Sequence, residues 1–232
     1  EYVSFGTSGN FADFGDLTAG RSGTSGFSNN TRGVIAGGSD SNNVIDYITI
    51  ANTGNATNFG DLTAATGDIG GGFSSSTRGI TAGGYASNSI SNVIQYVTIG
   101  STGNATDFGD LTAGRKFVGG LASATRGVAF GGELSNGNTT DIIDYVTIAS
   151  AGDAADFGDL SAATNFPAGA ASATRGIRAG GTNANGSGST NTIDYITIGS
   201  TGNTQDFGDL SSSTNNDGMA GAASSAASAQ PS

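Results

Sequence analysis

Residues 31–62 read TRGVIAGGSDSNNVIDYITIANTGNATNFGDL, and three parts of this stretch return in the same order along the chain. Thr-Arg-Gly, followed by an apolar segment and a Gly-Gly pair, returns with the arginines Arg32, Arg78, Arg126 and Arg175. Segments of the IDYITI type return with Tyr2, Tyr47, Tyr96, Tyr145 and Tyr195, and FGDL returns with Phe14, Phe59, Phe108, Phe157 and Phe207. Self-similarity at a period of 45 to 50 residues is typical of propellers and other repeat arrays.

Each repeat predicts four short β-strands. A small-residue segment such as SGTSGFS (22–28) precedes the RGVIAGG strand, and the IDYITI strand precedes the one that ends in FGDL. The turns between them are rich in Gly, Asn, Asp and Ser, which tolerate positive φ. Because side chains alternate along a strand, Ile45 and Tyr47 lie on one face, while Ile48 and Ile50 lie on the other. Apolar residues on both faces predict a sheet packed between two neighbours, and no stretch shows the period of a helix.

The composition narrows the function. The chain has 232 residues, a formal net charge of -11, no histidine and no cysteine. A negative surface repels phosphate backbones and anionic membranes, so we expect no nucleic-acid partner. No apolar run approaches the roughly 20 residues of a membrane helix, so we expect no membrane insertion. Since the commonest general base and the thiol nucleophile are missing, we expect a noncatalytic protein without a cofactor.

The repeat resembles the kelch repeat over nearly the whole chain. In that family too, a strand ends in a Gly pair, a loop follows, and aromatic residues occupy the last two strands. The chain departs from the family in having phenylalanine where the kelch repeat has tryptophan, and it contains no tryptophan at all. The resemblance implies an all-β propeller of four-stranded blades. The tandem TRG and FGDL phrases are also similar to repetitive structural proteins of marine bacteriophages, which implies a structural role.

The repeats divide the chain, taken as one domain over 1–232. They give a partial blade at 1–17, full blades at 18–62, 63–111, 112–160 and 161–210, and a closing strand in 211–232. The closing strand is suggested by AGAAS at 220–224, which repeats AGAAS at 168–172. We therefore expect a β-propeller of about five blades, the fifth a composite of the N-terminal and C-terminal strands. The alternative is an open β-repeat array.

The TRG arginines are predicted to be structural. Counting ladder pairs places Arg32 opposite Thr49 and Thr49 opposite Asp61, so that an arginine and an aspartate share one row across three strands. The same count joins Arg78 to Asp110, Arg126 to Asp159 and Arg175 to Asp209. We expect a ring of ion pairs or backbone clamps, with ligand binding by this ring as the alternative.

Acidic pairs flank the FG dipeptide, as in Asp107 and Asp110. A pair that returns in nearly every repeat indicates strand-end hydrogen bonds rather than a catalytic dyad. Two alternatives stay open at this point. The oxygen-rich turns could bind Ca²⁺, and the aspartates could serve a glycan-active enzyme.

The loop after the Gly-Gly pair differs most between repeats. The distance from Tyr to Phe is 12 residues in all five copies, whereas the loop segments 39–44, 85–93, 133–142 and 182–192 run 6, 9, 10 and 11 residues. In a four-stranded meander these loops share a face with the connections between repeats. A fixed scaffold with one variable face favours a binding role. The candidate binding residues are Ser39, Asp40, Asn42, Tyr85, Asn88, Glu133, Asn136, Asn138, Asn183 and Asn185.

Together these features predict a noncatalytic structural and adhesive module, such as a phage virion surface, fibre or decoration protein, with a virion or extracellular location. Its partners would be copies of itself, other structural proteins or a surface glycan, bound through many weak contacts. The first alternative is a soluble or secreted bacterial lectin-like kelch protein. The second is the aspartate-dependent, glycan-active enzyme.

Overall fold

A computed structural model gives the fold of residues 1–4, 8–38, 42–183 and 188–212. These residues form β-strands, turns and irregular connections, and no helix occurs among them. The predicted all-β class is therefore confirmed. Three candidate binding residues, Ser39, Asp40 and Asn185, lie outside the described residues, as does most of the closing strand predicted in 211–232.

The strands follow the repeat, and a few very short strands lie between the main ones. In chain order they are β1 (Ser25–Ser28), β2 (Arg32–Ala36), β3 (Val44–Thr49), β4 (Thr57–Asp61), β5 (Thr66–Gly67), β6 (Gly71–Ser74), β7 (Arg78–Ala82), β8 (Tyr85–Ala86), β9 (Ser89–Ile90), β10 (Val93–Thr98), β11 (Thr106–Asp110), β12 (Gly119–Ala122), β13 (Arg126–Phe130), β14 (Ile142–Thr147), β15 (Ala155–Asp159), β16 (Thr164–Asn165), β17 (Ala168–Ala171), β18 (Arg175–Ala179), β19 (Thr182–Asn183), β20 (Thr192–Thr197) and β21 (Gln205–Asp209).

Four antiparallel sheets of four strands each form the body of the protein. Sheet 1 has the order β1-β2-β3-β4, sheet 2 β6-β7-β10-β11, sheet 3 β12-β13-β14-β15, and sheet 4 β17-β18-β20-β21. Each sheet is a meander, since short connections join neighbouring antiparallel strands. We call the segment that supplies each sheet a unit, numbered 1 to 4 like its sheet. Two smaller sheets, β5-β8-β9 and β16-β19, lie in the loops and connections between the main strands.

Glycine lets the first strands of consecutive sheets approach each other closely. A Cβ atom added to Gly72 would lie 2.4 Å from the carbonyl oxygen of Gly26 in the preceding sheet. The TRG motif requires its glycine for a similar reason, because a Cβ atom on Gly79 would lie 1.9 Å from the ring of Phe27. The sheets are therefore in closest contact along β1, β6, β12 and β17.

Three apolar clusters fill the three spaces between consecutive sheets. In sheet 2, Val97 belongs to the cluster shared with sheet 1, whereas Ile94 belongs to the cluster shared with sheet 3. The prediction of apolar residues on both faces is confirmed by this division. Each cluster also contains the phenylalanine of one FGDL motif, namely Phe59, Phe108 or Phe157, and each of these is 2 % exposed.

The TRG arginines tie each sheet to the next. The Nη1 of Arg32 donates a hydrogen bond to the carbonyl of Ile99 in sheet 2, with a length of 2.9 Å. The guanidinium of Arg32 also lies 4.6 Å from the centre of the Tyr47 ring, within reach of a cation–π interaction. Equivalent bonds run from Arg78 to the carbonyl of Ile148 and from Arg126 to that of Ile198. These arginines are backbone clamps between sheets.

The predicted rows of arginine and aspartate are wrong. Arg32 does lie opposite Thr49, but Asp61 lies opposite Val44, at the other end of β3. The cause is a long turn between β3 and β4, together with a β-bulge after Ile45. Asp110, Asp159 and Asp209 occupy the same end of their sheets as Asp61. No ion pair of a TRG arginine occurs among the described residues.

The long turn between the third and fourth strands has a packing role of its own. The backbone N–H of Gly103 donates to the carbonyl of Phe59, at 2.8 Å, in the preceding unit. In return, the backbone N–H of Asp61 donates to the side-chain oxygen of Asn104, at 3.0 Å. A Cβ atom on Gly60 would lie 2.3 Å from the carbonyl oxygen of Gly103, so FGD requires its glycine. The constant Tyr-to-Phe spacing thus preserves a contact between units.

We expect Arg126→Ala to lower the free energy of unfolding by about 1–3 kcal/mol, because the Ile198 carbonyl loses its charged donor. Urea unfolding monitored by circular dichroism measures this change. Arg175→Ala is the matched control. The guanidinium of Arg175 also lies over its tyrosine, Tyr195, but it donates no hydrogen bond to a carbonyl among the described residues. An equal loss of stability in the two variants would contradict the clamp.

The outer faces of the four-sheet stack are less covered than the inner ones. In sheet 1, Ile50 is 45 % exposed, whereas its equivalents Ile99 and Ile148 are nearly fully buried. In sheet 4, Phe207 is 51 % exposed, and a Cβ atom on Gly208 would meet nothing within 4 Å. The described residues therefore show four stacked sheets, and the five-bladed ring stays a prediction.

Candidate binding face and the scaffold that holds it

The variable loops lie beside the connections between units. The N–H of Gly84, which opens the loop of unit 2, donates to the carbonyl of Arg115 in the connection to unit 3, at 2.8 Å. Gly38 and Gly132 make the same bond to the carbonyls of Thr66 and Thr164. Loops and connections therefore occupy one end of the stack, as the meander predicts. We call this end the loop face.

The loops on this face are ordered by backbone pairing. In unit 2, Tyr85 pairs with Gly67 of the connection and with Ile90 of its own loop. In unit 3, Glu133 forms bridges with Lys116 of the connection and with Thr139. In unit 4, β19 pairs with β16. The loop segments that differ most between units are thus held by the constant part of each unit.

A cluster of aromatic and charged side chains lies on the loop face where units 2, 3 and 4 meet. The ammonium of Lys116 is 3.3 Å from the carboxylate of Glu133 and 4.6 Å from the centre of the Phe117 ring. Phe117 stacks on Phe166 with ring centres 3.9 Å apart. The ring centre of Tyr85 lies 6.0 Å from the same ammonium, and Tyr85 is 42 % exposed. We call these five residues the aromatic cluster.

The two phenylalanines of the cluster have an unusual backbone. Phe117 and Phe166 have φ values of 55° and 53°, in the left-handed region that bulky residues rarely adopt. At the same repeat position Gly23 and Asp68 have φ values of 64° and 52°. The scaffold therefore imposes this conformation on every unit, and units 3 and 4 use the position to present an aromatic ring.

The other candidate residues of the loops serve the loops themselves or lie exposed. Asn42 accepts a hydrogen bond from the N–H of Val44, and Asn136 accepts one from the N–H of Asn138. Asn88 has φ 63° in the turn between β8 and β9. Asn183, in β19, donates its N–H to the carbonyl of Gly188. Of the predicted set, the structure brings Tyr85 and Glu133 together through Lys116, whereas Asn42, Asn88, Asn136 and Asn183 lie in the loops of different units.

Sequence reasoning missed three buried ion pairs in the scaffold. Arg21, Arg115 and Arg178 lie 2.6 to 2.9 Å from the carboxylates of Asp46, Asp144 and Asp194, and all six side chains are at most 3 % exposed. Each aspartate is the second residue of an IDY segment. Its carboxylate also accepts a hydrogen bond from the Thr or Ser that follows FGDL, as from Thr112 to Asp144 at 2.7 Å. Through this Thr or Ser, each aspartate binds the connection that precedes its sheet.

The arginines reach the same place from two different positions. Arg115 comes from the connection before β12, and its Nη1 donates to the carbonyls of Gly131 and Ile142. Arg178 comes from β18, yet its Nη1 reaches the equivalent carbonyls of Gly180 and Thr192. Where unit 4 uses Arg178, Thr164 stands at the position of Arg115. The location of the positive charge is thus constant, although its sequence position is not.

Unit 2 has neither the buried aspartate nor the buried arginine. Gln95 replaces the aspartate, and its Oε1 accepts hydrogen bonds from the N–H and the hydroxyl of Thr63, both at 2.7 Å. The two positions that supply arginine elsewhere carry Thr66 and Thr81. A buried carboxylate needs a cation, whereas a buried amide does not. The four units therefore contain either both charges or neither.

Burial changes the pKa of Arg115 and of Arg178. Desolvation lowers the pKa of Arg115 below its ordinary value, and the charge and hydrogen bond of Asp144 oppose that shift. The pKa of Arg178 is lowered for the same reason and opposed by Asp194. The charges are held by the structure at a cost in solvation, so removal of one partner leaves the other poorly solvated.

The second aspartate of each FGD motif lies at the end of its sheet that carries the variable loop: Asp61 lies opposite Val44, and the N–H of Leu62 donates to the carbonyl of Asn43 at 2.7 Å. Asp13 and Asp206 each accept the N–H of the glycine two residues later, as expected for Asx turns. Within the described ranges, no three acidic side chains lie close enough together to hold a metal ion. In the same part of the chain no helix is long and apolar enough to cross a membrane.

The chain was compared with protein-family models and with curated proteins. No family model matches it, and no curated protein matches it.

Proposed function

We propose that this protein is a noncatalytic structural and adhesive module that binds through its loop face. The observation that carries the proposal is the contrast between a repeated scaffold and the loops that it holds in place. The loops differ in length from 6 to 11 residues, yet each is tied to its connection by backbone pairing or hydrogen bonds. Such a scaffold can vary what it presents without losing its fold.

The chemistry of the loop face suits a polar partner of low charge. Tyr85 and Phe166 offer aromatic surface, while Lys116, Glu133 and the loop asparagines and threonines offer hydrogen-bond donors and acceptors. A sugar ring has an apolar face that stacks on aromatic side chains and hydroxyls that bond to such groups. The net charge of -11 disfavours polyanions. A neutral surface glycan is the partner that fits best, alongside copies of the chain or other structural proteins.

We also propose that the four sheets are blades of a propeller. Support comes from the glycine-mediated approach of the first strands, since small residues along an axis let sheets radiate from it. A ring of about five blades would require the N-terminal strands, together with a strand from 211–232, to cover the exposed Phe207. A virion surface or another extracellular setting is the location that suits such a module.

The proposal is tested by binding to a printed array of bacterial surface polysaccharides. We expect Tyr85→Ala to weaken binding at least about tenfold, since an aromatic hot spot contributes about 2 kcal/mol or more and a tenfold loss corresponds to about 1.4 kcal/mol. Phe11→Ala is the matched control, because Phe11 is 64 % exposed and lies outside the loop face. Full binding by the Tyr85 variant, or an equal loss in the Phe11 variant, would count against the loop face.

A further inference from the structure

A small cavity lies between sheets 3 and 4, beside the ion pair of Arg178 and Asp194. Its volume is about 10 Å³, and its apolar walls include Leu121, Phe130 and Ile143. Arg178, Asp194 and Thr204 also line it. The Asp194 side chain is fully buried and that of Arg178 is 3 % exposed.

Each of the three polar residues has one atom without a partner in the protein. These atoms are Oδ1 of Asp194, Nε of Arg178 and Oγ1 of Thr204. A buried polar group without a hydrogen bond costs about 1–3 kcal/mol, and more when the group is charged. Three residues that line one cavity each carry such an atom, and a small polar molecule in the cavity would be a partner for them.

The sequence of unit 4 explains why the cavity occurs there. In unit 3, the hydroxyl of Thr112 donates to Oδ1 of Asp144, and its N–H donates to Oδ2. In unit 4 the equivalent residue is Ser161, and its hydroxyl donates to Oδ2 of Asp194 instead. The Oδ1 atom is thereby left without a partner, and Asp194 lines the cavity together with Thr204.

Unit 4 also differs from the other units in the residue at the position of Thr204. The equivalent residues in the other units are Ala56, Ala105 and Ala154. The Ala105 and Ala154 methyl groups pack against the apolar clusters between sheets. Unit 4 places a hydroxyl there, on a residue that lines the same cavity as Asp194. A polar atom at an otherwise apolar position is explained if it has a ligand.

We propose that one water molecule is bound in this cavity as a permanent part of the fold. It donates hydrogen bonds to Oδ1 of Asp194 and Oγ1 of Thr204, and it accepts one from Nε of Arg178. A cavity of about 10–15 Å³ holds a single water, and buried waters make about three hydrogen bonds. Larger ligands are excluded by the volume, and the apolar walls supply no further partners.

The water is detected by magnetic relaxation dispersion of water oxygen-17, which counts long-lived internal waters. We expect Thr204→Val, which keeps the shape and removes the hydroxyl, to lower the count by one relative to the unmodified protein. Thr106→Val is the matched control, because it is the same substitution at an exposed position of β11. Identical dispersion for the unmodified protein and the folded Thr204 variant would overturn the proposal.

A crystal structure of the unmodified protein tests the site without a variant. We expect electron density within about 2.6–3.2 Å of Oδ1 of Asp194. A cavity free of density, with the Asp194 carboxylate turned so that Oδ1 meets a protein donor, would overturn the proposal even if the Thr204 variant failed to fold.

Discussion

Arg115→Thr lowers the free energy of unfolding by about 3–5 kcal/mol, because it leaves Asp144 as a buried charge without a cation. The effect is large for a domain whose total stability is expected to be about 5–15 kcal/mol. Part of the loss is packing, since a fully buried side chain is shortened. Urea unfolding at neutral pH measures the change.

The loss in Arg115→Thr is reduced by a second substitution in the same unit. Arg115→Thr with Asp144→Gln reproduces the arrangement of unit 2, where Thr66 and Gln95 occupy these positions. Because Thr112 can donate to the new amide as Thr63 does in unit 2, we expect the double variant to be at least about 2 kcal/mol more stable than Arg115→Thr alone. Additive losses in the double-mutant cycle would show that the charges are not coupled.

The converse change in unit 2 has a comparable effect. Gln95→Asp introduces a carboxylate that is buried among uncharged neighbours, so we expect the free energy of unfolding to fall by about 3 kcal/mol. Thr66→Arg places a guanidinium at the position of Arg115, and Thr81→Arg places one at the position of Arg178. Either arginine should restore most of the loss when combined with Gln95→Asp.

Controls separate charge compensation from packing in unit 2. Thr66→Arg and Thr81→Arg alone bury a cation beside a neutral amide, and we expect each to destabilise the protein without Gln95→Asp. Thermal unfolding of the three single and two double variants gives the comparison. If Gln95→Asp were neutral, or if neither arginine restored stability, charge compensation would not be the reason for the pattern among the units.

The strands could be predicted from the sequence because their signals are local. Gly-Gly pairs, alternating apolar residues and turn residues recur at each strand end, and the structure confirms the four-stranded meander in all four complete repeats. The register of β3 and β4 could not be predicted in the same way. Its turn is long because Gly54 and Asn55 bind the FGD motif of the preceding unit, and a contact with another unit leaves no local signal.

The buried ion pairs left a signal that only comparison among the repeats could find. Asp46, Asp144 and Asp194 occur with an arginine in the same unit, whereas Gln95 occurs without one. The arginine changes position between Arg115 and Arg178, so a search at one fixed spacing misses the relation. Three-dimensional contact was needed to show that both positions place a guanidinium on the same carboxylate.

The candidate face was predicted in part. Loop length identified the end of the stack and Tyr85, but it did not identify Lys116, Phe117 or Phe166, which lie in the connections. The signal of the two phenylalanines is that they are bulky residues at one position of the repeat. At that position the other units have Gly23 and Asp68, which also adopt the left-handed conformation. Because that conformation is set by the scaffold, it could not be recognised before the backbone was known.

Asp107 and Asp110 are exposed on β11 and do not belong to the aromatic cluster, so one comparison separates an adhesive module from an aspartate-dependent enzyme. The measurement is retention on the polysaccharide array, with release of soluble sugar recorded in the same wells. The variants are Tyr85→Ala with Phe166→Ala, and Asp107→Asn with Asp110→Asn. We predict that the first pair abolishes retention, that the second leaves it unchanged, and that no sugar is released. Retention that survives the first pair and is lost with the second, or sugar release that depends on Asp107 and Asp110, would contradict the proposed function.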